Sequence, residues 1–337
     1  MPRIICLAIS VLVVWAIPGW GQGFQLQGRI TTDKMAADLQ VILEDPKAKN
    51  TVVGTVQPDK DGTYQFQGLS KRSYRLVTVI NGRRQDRRDV EILCRPNAVV
   101  SKDFHYGRIP STLMLHFPAE DPDFIDVAEL QGSYPKDVLK DYEKAYQDHI
   151  NGNAARAVER LEAIVARAPE FYGGHARLGV VYQQEGCFFD AESEYRQASV
   201  LSGRSLQPMV NLASVQIRAA DLANQRDTMI ERAIETLRKA LELRPNSALA
   251  HCLMGAAQAK ARSFEEAQAS LERALDIDGS LAAARLLLAD IHLQQKNWQA
   301  AIDHLVLYLE DFPFARDRGV VKHMIESAER SARDLER

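Results

Sequence analysis

Few residues in this chain could do chemistry, and their spacing does not assemble a catalytic site. The HxxE pair His323 and Glu326 could supply two ligands of a zinc peptidase, but only 11 residues follow Glu326 and none is His. The chain contains no HExxH, GxSxG or GxxxxGK[ST] motif, the usual marks of zinc protease, serine hydrolase and phosphate-binding sites. The sequence therefore predicts a protein that is not an enzyme and that needs no metal or cofactor.

The short acidic turn Asp59-Lys60-Asp61-Gly62 could suggest a calcium site. An EF-type loop needs further oxygen ligands at fixed spacing, and these do not follow Gly62. The turn lies between two stretches of alternating apolar residues. We therefore interpret it as a hairpin turn.

Cysteine spacing gives no metal or redox motif. Cys94, Cys187 and Cys252 remain once the N-terminal segment is set aside, and they form neither a CxxC pair nor a set of metal ligands. Their number is odd, and they fall in different parts of the chain. We expect small, partly buried free thiols rather than a disulfide framework.

The densest charge cluster in the sequence consists of Arg83, Arg84, Arg87 and Arg88. Charges on the edge of a sheet commonly prevent sheet-to-sheet aggregation. An anion-binding edge is the functional alternative, with an acidic polysaccharide, a lipid head group or a protein as its ligand. The sequence leaves both interpretations open.

From about Leu139 to Pro313, one pattern returns at a fixed period. Five alanines are each followed four residues later by a large apolar residue, at intervals of 34, 42, 34 and 34 residues. These alanines are Ala157, Ala191, Ala233, Ala267 and Ala301. The longer interval contains eight extra residues, which we place in a turn at Ala220 to Thr228. Such internal repetition is typical of a solenoid.

The second copy is the most complete, with Leu178, Gly179, Tyr182, Ala191 and Tyr195 in order. It resembles the tetratricopeptide repeat (TPR), which implies two antiparallel helices per unit. Small residues occupy the position of closest helix crossing in every copy: Ala145, Gly179, Ala213, Gly255 and Ala289. We expect substitution of Gly179 by Leu to overpack its unit and Gly186, in a turn, to tolerate Asn.

The predicted copies span residues 138–171, 172–205, 206–247, 248–281 and 282–315, within an array at 136–313. Residues 316–337, which include the helical stretch Gly319 to Leu335, would cap the last apolar face with a polar surface.

Residues 23–107 alternate between apolar and polar side chains, as Tyr64, Phe66, Tyr74 and Leu76 illustrate. About seven short strands separated by turn residues indicate an antiparallel β-sandwich. The stretch from Pro58 to Val77 resembles carboxypeptidase regulatory-like domains, which implies a transthyretin-like fold. Arg72-Ser73 departs from that family, which usually has a glycine before the tyrosine. The fold class is therefore multidomain: an all-β sandwich followed by a right-handed α-solenoid of about five TPR pairs and a capping helix.

The first 21 residues have the layout of a secretory signal peptide. Arg3 precedes the uninterrupted apolar run Ile4 to Ile17, which is followed by Pro18 and the triplet Gly19-Trp20-Gly21. We expect cleavage after Gly21, a periplasmic or secreted mature protein, and no membrane span in the mature chain. Residues 108–135, with acidic residues and prolines, form a predicted linker.

The net charge of −3 combines a basic and an acidic half. Residues 24–108 contain 15 Lys and Arg against 10 Asp and Glu, whereas residues 109–337 contain 26 against 35. This asymmetry lacks the dense basic surface typical of nucleic-acid binding. We therefore predict no nucleic-acid partner.

The TPR resemblance implies a protein or peptide partner in a concave groove lined by fixed positions of each first helix. In this register the positions hold Tyr142, Tyr146, His149 and Ile150, then Ala176, Val180, Gln183 and Gln184, then Val210, Ser214, Ile217 and Arg218, then Cys252, Ala256 and Lys260, and finally Leu286, Asp290, Leu293 and Gln294. Members that clamp a carboxylate carry Lys and Asn at two of these positions, whereas the first three copies here hold Tyr, Ala, Val and Ser.

An apolar segment or amphipathic helix is therefore the expected ligand, with Tyr142 and Tyr146 as anchors. Two alternatives remain open. The groove could be filled by the C-terminal helix or the linker of the same chain. The sandwich could instead bind a glycan, since related sandwiches have a carbohydrate-binding-like fold.

Overall fold

The structure, a computed structural model, describes residues 23–31, 38–95, 99–102, 104–105, 134–203, 205–222, 226–315 and 317–335. The predicted signal peptide and residues 108–133 of the predicted linker lie outside this range. Within it, two β-sheets are followed by eleven helices.

The N-terminal domain contains two four-stranded sheets. Its strands are β1 Phe24–Thr31, β2 Gln40–Asp45, β3 Thr51–Val56, β4 Thr63–Leu69, β5 Ser73–Ile80, β6 Arg83–Glu91, β7 Val99–Ser101 and β8 Phe104–His105. One sheet has the order β4-β1-β7, with β8 also paired to β1, and the other has the order β3-β2-β5-β6. The predicted two-sheet fold is confirmed.

The sheets are not wholly antiparallel, which corrects the sequence-based prediction. Both β7 and β8 run parallel to β1, while the other strand pairs are antiparallel. β7 pairs with residues 25–27 of β1, and β8 pairs with residues 30–31 of the same strand. β7 therefore lies at the edge of its sheet among the described strands.

Alternation places the apolar residues as expected. Tyr64, Phe66, Tyr74 and Leu76 are buried between the sheets. The acidic turn is stabilised by its own side chain, because the Asp59 carboxylate accepts hydrogen bonds from the backbone N–H groups of Asp61 (2.9 Å) and Thr63 (2.8 Å). This is turn chemistry of the kind expected for a hairpin.

Five helix pairs and one further helix form the array. They are α1 Lys136–Ile150, α2 Ala154–Arg167, α3 Tyr172–Gln184, α4 Phe188–Ser202, α5 Leu206–Ala219, α6 Arg226–Leu243, α7 Ala248–Lys260, α8 Phe264–Ile277, α9 Ala282–Gln294, α10 Trp298–Asp311 and α11 Arg318–Leu335. No helix among these is long and apolar enough to cross a bilayer.

Small residues allow the two helices of a pair to approach closely. A β-carbon at Gly179 would lie 2.7 Å from the ring of Tyr195, and one at Gly255 would lie 2.5 Å from Cγ of Leu271. The five repeated alanines of the second helices are fully buried. These contacts are the crossings that the TPR register places at Gly179 and Gly255.

The eight-residue insertion does not lie wholly in a turn, contrary to the prediction. Helix α5 ends at Ala219 and α6 begins at Arg226, so Arg226 to Thr228 are helical. Helix α6 has 18 residues, whereas α2 has 14. Part of the insertion therefore extends α6, and Asp227 in its first turn is favourable at a helix N-terminus.

Candidate functional site

Solvent-accessible residues lie at or next to the C-terminal end of the first helix of each of the five copies. We call this set, Ile150, Gln184, Arg218, Lys260 and Gln294, the terminal row. Ile150 is 55% exposed, Gln184 and Gln294 are exposed, and the two basic residues are partly exposed. These five predicted groove residues are accessible to solvent.

Most other predicted groove residues are buried, which corrects the expectation of an open apolar channel. The buried set is Ala176, Val180, Gln183, Val210, Ser214, Ile217, Cys252, Ala256, Leu286 and Asp290. Most of the apolar members belong to the hydrophobic cores of the array. Gln183 accepts a hydrogen bond from Tyr195 of α4 at 3.0 Å. These side chains pack inside the array and are not available to a ligand.

The two predicted aromatic anchors already make contacts within the array. Tyr142 packs edge-on against Phe171, with ring centroids 5.2 Å apart. The guanidinium of Arg177, which is 1% exposed, lies 4.5 Å from the ring centroid of Tyr146 and 5.9 Å from that of Tyr142. The rings therefore stabilise the junction of the first two copies, and truncating them would disturb packing as well as binding.

Contacts between neighbouring copies give the terminal row a polar character. His149, which is partly buried, places Nε2 2.6 Å from Oε1 of Gln184. Lys260 donates to both carboxylate oxygens of Asp221, at 2.7 and 2.8 Å. Lys260 is thus paired with a carboxylate of the preceding copy. Leu293, the residue before Gln294 at the end of α9, is partly buried.

Asp290 is a buried carboxyl group at the floor of the fifth copy. Its Oδ2 accepts a hydrogen bond from Nε2 of Gln294 at 2.7 Å, and its Oδ1 has no hydrogen-bond partner among the described residues. Burial raises the pKa of Asp290 to about 6, against the opposing effect of the Gln294 hydrogen bond. A terminal-row residue is therefore linked to a group that titrates near neutrality.

The arginine cluster on β6 does not converge on one point. A register shift pairs Thr78 with Asp86 and Val79 with Arg84, so Gln85 is the extra residue. Arg84 and Arg87 then share one face, whereas Arg88 lies on the face of the buried Val90.

Two of these arginines also contact carboxylates. Nη2 of Arg84 forms an ion pair with Oε1 of the buried Glu44 at 2.8 Å, and Nε of Arg88 lies 3.4 Å from Oδ2 of Asp86. Together with the split between two faces, these pairs weaken the interpretation of Arg83, Arg84, Arg87 and Arg88 as a single anion site.

A disulfide joins the sandwich to the array, contrary to the expectation of free thiols. Cys94 follows β6, Cys187 precedes α4, and both are buried. Cys252 is the free cysteine among the described residues. Sequence reasoning missed the pair because its members are 93 residues apart and lie in different domains.

A signal for this bond was nevertheless present in the repeat. Cys187 occupies the N-cap position of a second helix, where other copies carry Asn153, Ser263 and Asn297. Asn and Ser are preferred residue types at N-caps and Cys is not, although none of these three side chains makes a capping hydrogen bond in the structure. A cysteine at this position indicates a local requirement that the repeat itself does not impose.

Arg95, next to the disulfide, links the sandwich to α4. Its side chain lies 2.5 Å from Oε1 of Glu194 and packs over the ring of Tyr182, and its backbone N–H donates to Asp190 at 3.0 Å. Burial raises the pKa of Glu194, but a hydrogen bond with His175 and the charge of Arg95 outweigh it and hold this pKa below its ordinary value. Glu194 is therefore ionised at neutral pH.

His175 and Glu194 form a buried pair beside this contact. Nδ1 of His175 lies 2.6 Å from Oε2 of Glu194, and Nε2 lies 3.0 Å from the carbonyl oxygen of Pro169. Both ring nitrogens thus face oxygen atoms, which fixes the orientation of the imidazole. Asp190 differs from Glu194, because burial raises its pKa despite the N–H of Arg95.

Two tetratricopeptide profiles match the C-terminal part of the array. One, described as TPR repeat, covers residues 230–261, and the other, described as tetratricopeptide repeat, covers residues 258–317. These ranges include the repeated Ala233, Ala267 and Ala301. No curated protein sequence matches the chain.

Solved structures share the helical array. PilW, a type IV pilus biogenesis factor, is 18% identical with a TM-score of 0.51 over 59% of this chain and 89% of its own. A TPR protein of Thermus thermophilus is 20% identical with a TM-score of 0.47, covering 57% of this chain and 98% of its own. A tetratricopeptide repeat protein of Parabacteroides merdae is 18% identical with a TM-score of 0.48, covering 60% and 78%.

At these identities the likeness concerns the fold alone. The profiles show tetratricopeptide repeats in residues 230–317, and in the described part of the chain a two-sheet domain precedes the helical array.

Proposed function

We propose that this protein is a non-catalytic scaffold that holds a segment of a partner protein across the terminal row. The observation that carries the proposal is the exposure of this row along an array whose deeper groove positions are buried. Gln184 and Gln294 offer amide donors and acceptors, and Ile150 offers an apolar contact. A partner segment with mixed polar and apolar side chains fits this surface better than the wholly apolar helix expected from the sequence.

Site-specific photo-crosslinking tests this function. A photoreactive amino acid replaces Gln184 or Gln294 in the full-length protein, and a control replaces Lys239, whose side chain is 61% exposed on α6. We expect the same partner to be cross-linked from both row positions in cells and not from position 239. Cross-linking only from position 239, or from none of the three, would contradict the proposal.

We further propose that the protein works outside the cytoplasm. The apolar run Ile4 to Ile17 supports export, and the buried Cys94–Cys187 disulfide fits an oxidising compartment. Fractionation of the source cells with N-terminal sequencing tests this. A mature N-terminus near Gln22 in the extracytoplasmic fraction is expected, and a cytoplasmic product that retains Met1 would contradict it.

We also propose that the sandwich is a carboxypeptidase regulatory-like domain with a structural role. The stretch from Pro58 to Val77 supports this assignment. Among the described side chains of the sandwich, no exposed aromatic favours the glycan-binding alternative, because Phe24, Tyr64, Phe66 and Tyr74 are all buried in its core. A glycan array distinguishes the two roles. We expect the protein to bind no glycan, and binding of a glycan by the sandwich would contradict a purely structural role.

A further inference from the structure

The sandwich contacts the array around one turn, residues 185–187, between α3 and α4, and through Arg95 also at nearby residues of α2, α3 and α4. On the sandwich side, two short segments meet this turn: Cys94 with Arg95, and Ser101 with Lys102. Cys94 is bonded to Cys187, and the Ser101 N–H donates to the carbonyl oxygen of Gly186 at 3.1 Å. Two chain segments that are separate in sequence therefore hold the same turn.

Charged contacts surround this covalent bond. Nζ of Lys102 lies 3.6 Å from Oε2 of Glu185, and Arg95 reaches Glu194 and, at 3.8 Å, Glu162. The hydrophobic core of the sandwich continues into that of the first repeats beneath them. Apolar, ionic, backbone and covalent contacts thus coincide at one place.

The contact with the sandwich explains why residue 186 is glycine. The same turn position has a left-handed conformation in other copies, with φ of 76° at Gly152, 64° at Arg262 and 60° at Lys296, against 80° at Gly186. A left-handed turn here consequently does not require glycine. A β-carbon at 186, however, would overlap the carbonyl oxygen of Ser101, whereas one at 152 would meet no described atom within 4 Å.

We propose that the Cys94–Cys187 disulfide is a covalent joint that fixes the sandwich against the second repeat, and that a dithiol reductant opens it. In this step the S–S bond breaks, each sulfur takes up one proton, and the two thiols of the reductant are oxidised to a disulfide. The bond closes a loop of 93 residues that contains the predicted linker and the first helix pair. Opening it raises the conformational entropy of the unfolded chain and so lowers the stability of the folded contact between the domains.

Peptide mapping of the full-length protein without reductant is the first test. We expect a Cys94–Cys187 linked peptide and a free Cys252. The two sulfurs and a carboxylate oxygen of Asp190 lie within 4.8 Å of one another, so a metal site is the alternative. Free thiols at positions 94 and 187 would overturn the proposal. One equivalent of bound zinc per chain would then indicate a metal site in place of the disulfide.

Hydrogen exchange then tests whether the bond holds the domains together. With dithiothreitol, or in a Cys94→Ser, Cys187→Ser double variant, we expect the Arg95 and Ser101 amides to exchange at least about tenfold faster. Amides of α8 and α9 should be unchanged. Unchanged exchange at Arg95 and Ser101 in both the reduced protein and the variant would overturn the proposal.

A matched pair of variants separates the joint from the turn. Gly186→Asn and Gly152→Asn place the same side chain at the same left-handed position of two copies. We expect Gly186→Asn to accelerate exchange at Ser101 and Gly152→Asn to leave it unchanged. Equal effects of the two variants would contradict a contact-specific role for Gly186.

Discussion

The ring of Tyr195 lies so close to Gly179 that a β-carbon at position 179 would be 2.7 Å from its Cδ1 and Cε1 atoms. Tyr195 is fully buried, and its hydroxyl donates to Gln183. The ring is therefore held from two sides and cannot easily move away. The interior of the second repeat is built around this contact.

Gly179→Ala should destabilise the protein by about 1–3 kcal/mol, because the added methyl group overpacks the crossing of α3 and α4. Gly319→Ala in α11 is the matched control, since a β-carbon there meets no described atom within 4 Å. It should be neutral or stabilising by up to about 1 kcal/mol through helix propensity. Urea unfolding of the parent and both variants measures these effects. Equal unfolding midpoints for the parent and Gly179→Ala would show that the closest crossing is not at Gly179.

Asp290 should make the protein less stable as the pH rises. Its pKa is raised from 3.8 to about 6, so the folded state favours the neutral carboxyl. The resulting stability is fully present below the unfolded pKa of 3.8 and is lost as the pH rises through about 6. Asp290→Asn should remove this loss, at most roughly 3 kcal/mol at pH 8.

Unfolding free energies of the parent and Asp290→Asn between pH 4 and 8 measure the effect. The two curves should diverge as the pH rises, with the variant the more stable at pH 8. Parallel curves would indicate that Asp290 is solvated in the folded protein. Asp303→Asn, a change at an exposed carboxylate on α10, is the control and should leave the curve unchanged.

Glu194 should act in the opposite direction. Its pKa is lowered by His175 and Arg95 against the cost of burial, so it stabilises the folded state as a carboxylate. This contribution is present above the unfolded pKa and is lost as the pH falls through the folded pKa. Glu194→Gln should cost about 1–3 kcal/mol at pH 7, and the difference should shrink in acid. A difference that does not depend on pH would contradict an ionised Glu194.

Cys252 should resist alkylation in the folded protein. It is fully buried, and burial raises the pKa of its thiol to about 12, so little thiolate forms at pH 8. Iodoacetamide should label Cys252 only after denaturation, and Cys94 and Cys187 only after reduction as well. Rapid labelling of Cys252 in native buffer would show that the fourth repeat is open.

The sequence was sufficient to predict those features of the fold that recur at regular intervals along the chain. Gly179 and Gly255 fall at the closest crossings because each unit repeats the same local packing, and that packing leaves a period in the sequence. In the same way, the apolar residues Tyr64 and Phe66, two positions apart, correctly predicted the buried face of β4. Both features depend on near neighbours.

Features that depend on how distant parts meet were not predictable. Val180 and Ile217 were placed in the groove by position, but their burial depends on how closely successive first helices approach. Gly186 was expected to tolerate Asn, because nothing in the repeat shows that Ser101 of the other domain lies against it. The pairing of Cys94 with Cys187 also depends on a contact between domains, so the sequence shows only the unusual cysteine at an N-cap position and not its partner.

The central claim is that a partner contacts the terminal row. It is tested most directly by the Kd of the partner segment identified by cross-linking, titrated calorimetrically into the parent and a Gln184→Ala, Gln294→Ala double variant. Lys239→Ala is the control, and circular dichroism verifies that all variants are folded. We predict binding at least about tenfold weaker for the double variant, equivalent to about 1.4 kcal/mol, and unchanged for the control. Equal affinity of the parent and the double variant would contradict the claim.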